Sequence, residues 1–475
     1  MADSYDAVVI GAGPNGLAAA ITLAQAGRSV VVLEANETIG GGARSAETTE
    51  PGFVHDLASA IHPLGMGSPF FSGLPLHEHG LEWIVPVASV AHPLNNGEAA
   101  IAWHDLHQTA VELGEDAAAY RKTFDRLIEN WDDVTDFTMT RLTRFPRHPM
   151  LMLRLGLAGA APATRFAKSR FATEAARALF AGHVAHSLLP LSYPFTSTFG
   201  LVLGASAHTV GWGFPKGGAQ SLTNALAGYL ESIGGEIRTG TRVQNLSDLP
   251  DHRAAIFSTT PAQVGEIARE RLPQHSRLWM RRFKYGPAAF KIDFALSEPI
   301  PWANPNVAHA ATVHVGGTLK EIATSEKQMS SGVPPTKPFV LLAQHSLFDD
   351  TRAPQGKHTA WAYCHVPNAS RFDMTERIQH QIERFAPGFR DTIIAKRTWS
   401  PAELEASNAN LIGGNVGGGS NRGSRVFLRP GIKIIPYRTG NPTIFIGSAS
   451  TSPGAGVHGM SGHHAAREAL ATALR

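Results

Sequence analysis

The sequence predicts an α/β chain with three parts: a parallel sheet assembled from separated segments, a mainly helical insertion, and a domain built on a mixed sheet. Three observations carry that expectation. Residues 4–34 read as strand, glycine turn, helix and strand. The stretch from Thr443 onward reads as strand, small-residue turn and helix again. Between them, residues 105–205 are rich in helix formers, and residues 286–400 alternate apolar runs with glycine and proline clusters.

The opening stretch is the most specific. Ala7-Val8-Val9-Ile10 is an apolar strand that runs into Gly11-Ala12-Gly13-Pro14-Asn15-Gly16, followed by a helical run to Gln25 and a second strand from Ser29 to Leu33. Gly11 permits the tight turn, and Gly13 lets the backbone approach a pyrophosphate. Gly16 lets helix and strand pack closely, while Pro14 and Asn15 open a helix whose free N–H groups and positive dipole suit a phosphate. Glu34 closes the second strand 18 residues after Gly16 (34 − 16), where a carboxylate accepts hydrogen bonds from ribose hydroxyls. Strand, helix, strand and acid in this order predict dinucleotide binding.

Past Glu34 and Ala35 the chain continues through Gly40-Gly41-Gly42-Ala43-Arg44. Glycine amides approach phosphate oxygens without hindrance, and an arginine adds a charge-assisted bond. This pattern resembles that of flavoproteins with the two-dinucleotide-binding, glutathione-reductase-like fold, which favours FAD over NAD; the alternative is a glycine-rich surface loop. A second element starts at Gly211-Trp212-Gly213-Phe214-Pro215-Lys216-Gly217-Gly218, followed by a helix over Ala219–Glu231, the pair Gly234-Gly235, and strand-like alternation from Glu236 to Leu246. In such flavoproteins that strand gives backbone contacts to the adenine, here through Val243. A further strand, Arg253–Phe257, ends at Ser258-Thr259-Thr260, beside the cofactor. The third element runs from Thr443 through Ser448 to Gly456-Val457-His458 and a helix over His463–Leu474, and suits the ribityl chain or the flavin edge.

Four stretches together resemble the phytoene-dehydrogenase-related FAD oxidoreductases: the opening fingerprint, the glycine–arginine segment, GWGFPKGGAQSLTNAL (211–226) and STSPGAGVHGMSGHHAA (450–466). RRFKYGPAAFKIDFAL (281–296) and ERFAPGFRD (383–391) are closer to the subgroup of pyridine nucleotide-disulfide oxidoreductase domain-containing proteins than to carotenoid desaturases. The resemblance implies a discontinuous FAD-binding domain over 1–70, 206–285 and 430–475, a mainly helical insertion over 71–205, and a mixed-sheet substrate domain over 286–429. It also implies that GFVHDLASAIHP (52–63) returns toward the isoalloxazine, bringing Ser59, Ala60 and Ile61 to the cofactor.

Catalytic candidates follow from these placements. His458 faces the flavin or the substrate, or else caps the last helix. Trp212 and Lys216 form part of the substrate cavity, or else are core packing and surface. Trp399 lines the flavin pocket or packs in its strand. His55, His62 and Asp56 are equally readable as buried structural groups. His183 and His186 share a helix face and His463 and His464 are adjacent, but neither pair has a third ligand, so no metal is expected. Met150–Leu157, MLMLRLGL, is flanked by Arg144, Arg147, Arg165, Lys168 and Arg170. It is too short to span a bilayer and suits either a peripheral membrane contact or packing, on the substrate domain or in a homo-oligomer.

Bulk properties narrow the function. The chain has 475 residues, 43% hydrophobic and 17% charged, with a formal charge of +3, and no basic block that suits nucleic acid. One cysteine, Cys364, excludes an internal disulfide. No signal segment is read at the N-terminus, so the expected location is cytoplasmic, with peripheral membrane contact as the variant. The leading expectation is an oxidoreductase with non-covalent FAD that removes a hydride from a C–H bond of a small-molecule substrate, lipophilic or an amine, and passes electrons to oxygen or a quinone. The alternatives are a flavin amine oxidase of the monoamine-oxidase kind and a non-catalytic flavoprotein serving as an interaction platform.

Overall fold

A computed structural model describes residues 4–139, 148–426, 428–431 and 433–475. Arg144 and Arg147, two of the basic residues flanking Met150–Leu157, lie outside the described residues. Five parallel strands form the first sheet, in the order Ile444–Ile446, Asp251–Phe257, Ser4–Ile10, Val30–Leu33 and Glu236–Arg238. Its central strands are apolar on both faces because helices cover both sides. The helix Pro14–Gln25 lies on one face, between the helices Ala219–Ser232 and Met460–Leu470.

Glycines set how close these layers come. A Cβ on Gly16 would lie 1.8 Å from the Gly11 carbonyl oxygen, and one on Gly462 would lie 1.7 Å from that of Asn15. No side chain fits in either place. The opening and closing helices therefore cross with backbone against backbone, which fixes the start of the opening helix.

The second sheet has seven strands: Ile393–Trp399, Ala288–Leu296, His358–Val366, Val340–Ala343, Ala310–Val315, Ala88–Pro93 and Ala99–Trp103. Every pairing is antiparallel except that of Ala310–Val315 with Ala88–Pro93. Two of its strands thus come from residues 88–103, ahead of the helices and within the span read from sequence as mainly helical. The helices Ala117–Glu129, Pro149–Gly159, Glu174–Ala185 and Thr196–Ala207 then pack over one face of this sheet.

The alternation seen from Glu236 to Leu246 gives a strand only over Glu236–Arg238. Gly240 turns the chain in the left-handed region (φ +62°), and the Thr241 amide donates to the Glu34 carbonyl at 2.7 Å, so residues 240–245 cross the strand ends instead of extending the sheet.

Gly462→Ala is expected to cost about 1–3 kcal/mol by overpacking the helix crossing, read as a lower denaturant midpoint. Gly156→Ala, with open space at its Cβ in a helix, is expected to be neutral or stabilising by up to ~1 kcal/mol.

Candidate functional site

A cavity of about 960 Å³ runs from the glycine turn of the first sheet to the helix-covered face of the second. Gly11, Gly13, Pro14, Asn15, Glu34 and Ala35 line one end together with Gly41, Gly42 and Ala43. The helix that begins at Pro14 has no side-chain cap, so its first amides face the cavity end without a protein acceptor there. Gly13 and Gly41 come within backbone contact: a Cβ on Gly41 would meet the Gly13 Cα at 3.1 Å. Glu34 is fixed in place, because its Oε2 accepts from the Ala12 amide at 2.8 Å and its Oε1 from the Asn36 amide at 3.0 Å, leaving acceptor capacity on the carboxylate. Asn15 Oδ1 and Thr259 Oγ1 are buried on this same wall without a hydrogen-bond partner among the described residues. A glycine cradle, an acid at the strand end and orphaned polar atoms together fit a dinucleotide.

Ser59, Ala60 and Ile61 continue the wall toward the second sheet, Val243 and Thr259 flank the glycine turn, and Ser448, Gly456, Val457 and His458 close the far side. Two predicted contacts act indirectly. Gly16 is the packing glycine described above. Arg44 braces the loop, donating from Nε to the Gly41 carbonyl at 2.9 Å and from Nη2 to the Ser407 carbonyl at 2.5 Å.

The catalytic candidates separate. Trp212 is buried on the cavity wall, and its Nε1 donates to Ser206 Oγ at 3.0 Å. His458 is on the wall too, but its Nδ1 accepts the Met460 amide at 3.1 Å, which caps the closing helix, and burial lowers its pKa to about 4. It is a neutral, anchored imidazole. Lys216 is a correction: its Nζ lies 3.0 Å from Glu82 in an exposed ion pair, away from the cavity wall, because the strand Phe214–Pro215 pairs with Trp83–Ile84 and leaves residue 216 outside. Trp399 also does not line the cavity, and holds Asp293 through Nε1 at 2.8 Å. His62 reaches the wall and bonds Ser59 Oγ at 3.0 Å, whereas His55 sits behind it against Thr49 at 2.9 Å.

Behind Ser59–Ile61 lies a buried charge network joining the start of the helix Ala219–Ser232 to the connections of the seven-stranded sheet. Asp56 accepts from Ser45 Oγ at 2.6 Å and from the Ala219 amide at 2.8 Å, and pairs with Arg352. Burial opposes the charge on Asp56, but Arg352 and the hydrogen bonds hold its carboxyl well below the usual range.

Sequence reasoning missed Lys291, Trp361, Tyr363 and Arg429, all on the cavity wall. Lys291 is buried with its Nζ 2.6 Å from each oxygen of Asp293, and lies 5.3 Å from the Trp399 ring and 6.0 Å from that of Trp361. The signal was present in Ala288–Leu296, where a lysine and an aspartate two apart in an apolar strand share one face. Arg429 donates to the carbonyls of Gly417 at 2.7 Å and Ala449 at 3.1 Å, and burial lowers its pKa to about 10.

Residues 9–71 match the profile of an NAD(P)-binding Rossmann-like domain. The chain is 26% identical to pyridine nucleotide-disulfide oxidoreductase domain-containing protein 2 of Mus musculus, over 97% of this chain and 92% of that protein. It is a homologue of that protein. A phytoene dehydrogenase of Streptomyces griseus is 24% identical, over 82% of this chain and 77% of its own. Among solved structures, an oxidoreductase from Methanosarcina mazei superposes with a TM-score of 0.63 at 18% identity, covering 96% of this chain and 98% of that one. Putrescine oxidase bound to putrescine superposes with a TM-score of 0.60 at 17% identity, covering 99% of each chain. These structural likenesses establish the fold. The chain's one cysteine, Cys364, is buried in a strand, so an internal disulfide plays no part.

Burial holds His62 and His458 to about 4 and His345 to about 3, against an ordinary 6.5. The unfolded chain therefore binds more protons than the fold below about pH 6.5. Stability is expected to fall as pH drops from about 6.5 toward 4, by up to ~1.4 kcal/mol per pH unit for each such group, and urea midpoints across that range measure it.

Proposed function

We propose that the protein is an oxidoreductase with non-covalent FAD, which removes a hydride from a C–H bond of a lipophilic organic substrate. The observation that carries this reading is the continuity of one cavity, from the glycine cradle to an aliphatic chamber under the helices. In this reading residues 1–70, 206–285 and 430–475 hold FAD, residues 71–205 roof the chamber, and residues 286–429 supply most of its floor.

The amide groups at the start of the helix Pro14–Gln25 would bind the pyrophosphate, Glu34 the ribose, and Val243 would face the adenine. Ser59–Ile61 and Ser448–His458 would flank the ring end. Bound flavin supplies the two-electron acceptor. The chain's own contribution is to orient the substrate, exclude water, and hold Lys291 Nζ as a buried donor on the wall between cofactor end and chamber. Neutral His458 keeps the turn rigid.

An amine oxidase would need a wall that tolerates a protonated amine. Trp361 and Tyr363, with ring centroids 5.0 Å apart, supply an aromatic pair, but Lys291 places positive charge beside them. Asp293 is already paired with that lysine, so no carboxylate is left for an ammonium and the wall favours a neutral substrate.

The helix Pro149–Gly159 supports the lipophilic reading. Leu155 lines the chamber, while Met150, Leu153 and Leu157 on the outward face are 63%, 55% and 69% exposed, with Arg154 exposed among them. A peripheral contact with a lipid surface suits this face. Among the described residues no helix is long and apolar enough to cross a membrane.

Gly13→Ala meets only an ordinary contact, 3.8 Å from the Gly41 Cα, so the variant is expected to fold normally. It and Glu34→Ala are expected to lower FAD affinity by about tenfold or more, measured by flavin retained after dialysis. Full retention in both variants would overturn the cofactor assignment. After anaerobic reduction, rapid reoxidation by a quinone but slow reoxidation by air is expected of a dehydrogenase; rapid reoxidation by air with peroxide formed would make it an oxidase.

A further inference from the structure

The chamber has two unlike walls. Its roof is aliphatic and aromatic, with Leu155, Leu188, Phe199, Val202 and Leu203. Its floor is the helix-facing side of the seven-stranded sheet, and strand register sets what that side shows. Lys291 lies opposite Tyr363, Tyr363 opposite Leu341, and Leu341 opposite His314. In the next row Trp361 lies opposite Ala343, and Ala343 opposite Thr312. Because residues two apart share a face, both rows belong to one surface, and it is studded with polar atoms.

Those atoms are short of partners. Thr312 is 4% exposed and Trp361 8% exposed, and Thr312 Oγ1 and Trp361 Nε1 make no hydrogen bond among the described residues. Tyr363 Oη and His186 Nδ1 make none among the described residues, although His186 Nε2 bonds His314 Nε2 at 3.0 Å. The sequence makes room for this pair: a Cβ on Gly182, in mid-helix, would come within 2.4 Å of His314 Nδ1. A helical glycine costs about 1 kcal/mol relative to alanine, so a histidine is kept close to the roof where alanine and an apolar residue would pack more stably.

The floor also lacks what a cation needs. The carboxylates on the cavity wall, among the described residues, are Glu34 and Glu266, both at the dinucleotide end. Burial holds His186 to about 3 and His314 well below its ordinary value, so both imidazoles are neutral near pH 7. Lys291 already has Asp293 as its counter-ion. A neutral oxygen that accepts hydrogen bonds, and as a hydroxyl can also donate one, satisfies such a surface, whereas a hydrocarbon leaves it unsatisfied and an ammonium meets no countercharge.

Resting on the FAD-dependent reading above, we propose that the substrate is a neutral lipophile bearing a hydroxyl or carbonyl group, with its oxygen between Tyr363 and Thr312 of the floor and His186 at the end of the helix above, and its chain under the aliphatic roof. The chamber is thereby a specificity-determining subsite: the oxygen on the floor fixes which carbon of the chain faces the cofactor end.

The test uses four chains of similar length: dodecanol, decyl methyl ketone, dodecane and dodecylamine. Each is titrated into the full-length protein, and binding is read by quenching of tryptophan fluorescence, since Trp212 and Trp361 both line the cavity. The FAD-loaded and FAD-free proteins are both measured, with perturbation of the flavin absorption band as a second readout in the former. The alcohol, the ketone or both are expected to bind about tenfold or more tightly than dodecane and dodecylamine. Tyr363→Phe and Thr312→Val, which remove one hydroxyl each and little volume, are expected to shrink that preference several-fold without changing FAD content. Equal binding of dodecane and dodecanol, tightest binding of dodecylamine, or an undiminished preference in both variants would overturn the proposal. Preference for the oxygenated chains in a protein that takes up no FAD would uphold the subsite and overturn the cofactor reading instead.

Discussion

The backbone contact between the opening and closing helices is the constraint on which the rest depends. Gly16 against Gly11 sets the helix onto its own strand, and Gly462 against Asn15 brings the C-terminal segment onto that helix. Both contacts are closer than any side chain allows, so they leave little freedom in where the helix begins. The direction of its first amides, the reach of Glu34, and the meeting of Gly13 with Gly41 all follow from that position. Packing density thus does the work of precise placement, in a part of the molecule with few polar contacts of its own.

The cofactor end and the seven-stranded sheet are joined by a different device. Asp56 accepts from the first amide of the helix Ala219–Ser232 and pairs with Arg352, which lies with Asp349 in the connection between two strands of the seven-stranded sheet. Lys291 and Asp293 lie within that sheet; all five are buried, and each has an oppositely charged neighbour. Removing one member would strand a charge in a low-dielectric interior, a loss of about 3–5 kcal/mol. The network fixes the segment Ser59–Ile61 between cradle and chamber, so the cavity is continuous there, not divided by a loop that moves independently.

The dinucleotide end was legible because its chemistry is local. Gly11, Gly13, Gly16 and Glu34 fall within one strand–helix–strand unit, where spacing alone dictates geometry. The apolar runs read within residues 286–400 likewise became strands, Ala288–Leu296 and Ala310–Val315 among them. The chamber floor was not legible. It depends on which strand lies beside which, and no local pattern places Tyr363 between Lys291 and Leu341. Lys216 shows the same limit from the other side: its neighbour Phe214 is buried, and only the pairing of Phe214–Pro215 with Trp83–Ile84 shows that residue 216 emerges into solvent. The failed strand over 240–246 had the right alternation but a glycine at the point where the chain must turn.

The interleaving of the first sheet also has a meaning in time. Its edge strand Ile444–Ile446 and the helix Met460–Leu470 leave the ribosome well after the helix they complete. At typical rates of synthesis, about 20–90 s separate residue 15 from residue 460. Throughout that interval the apolar face of the nascent first helix has no cover from its final neighbour. Maturation of the first sheet therefore waits on synthesis of the closing helix, and the early segments need shelter until then.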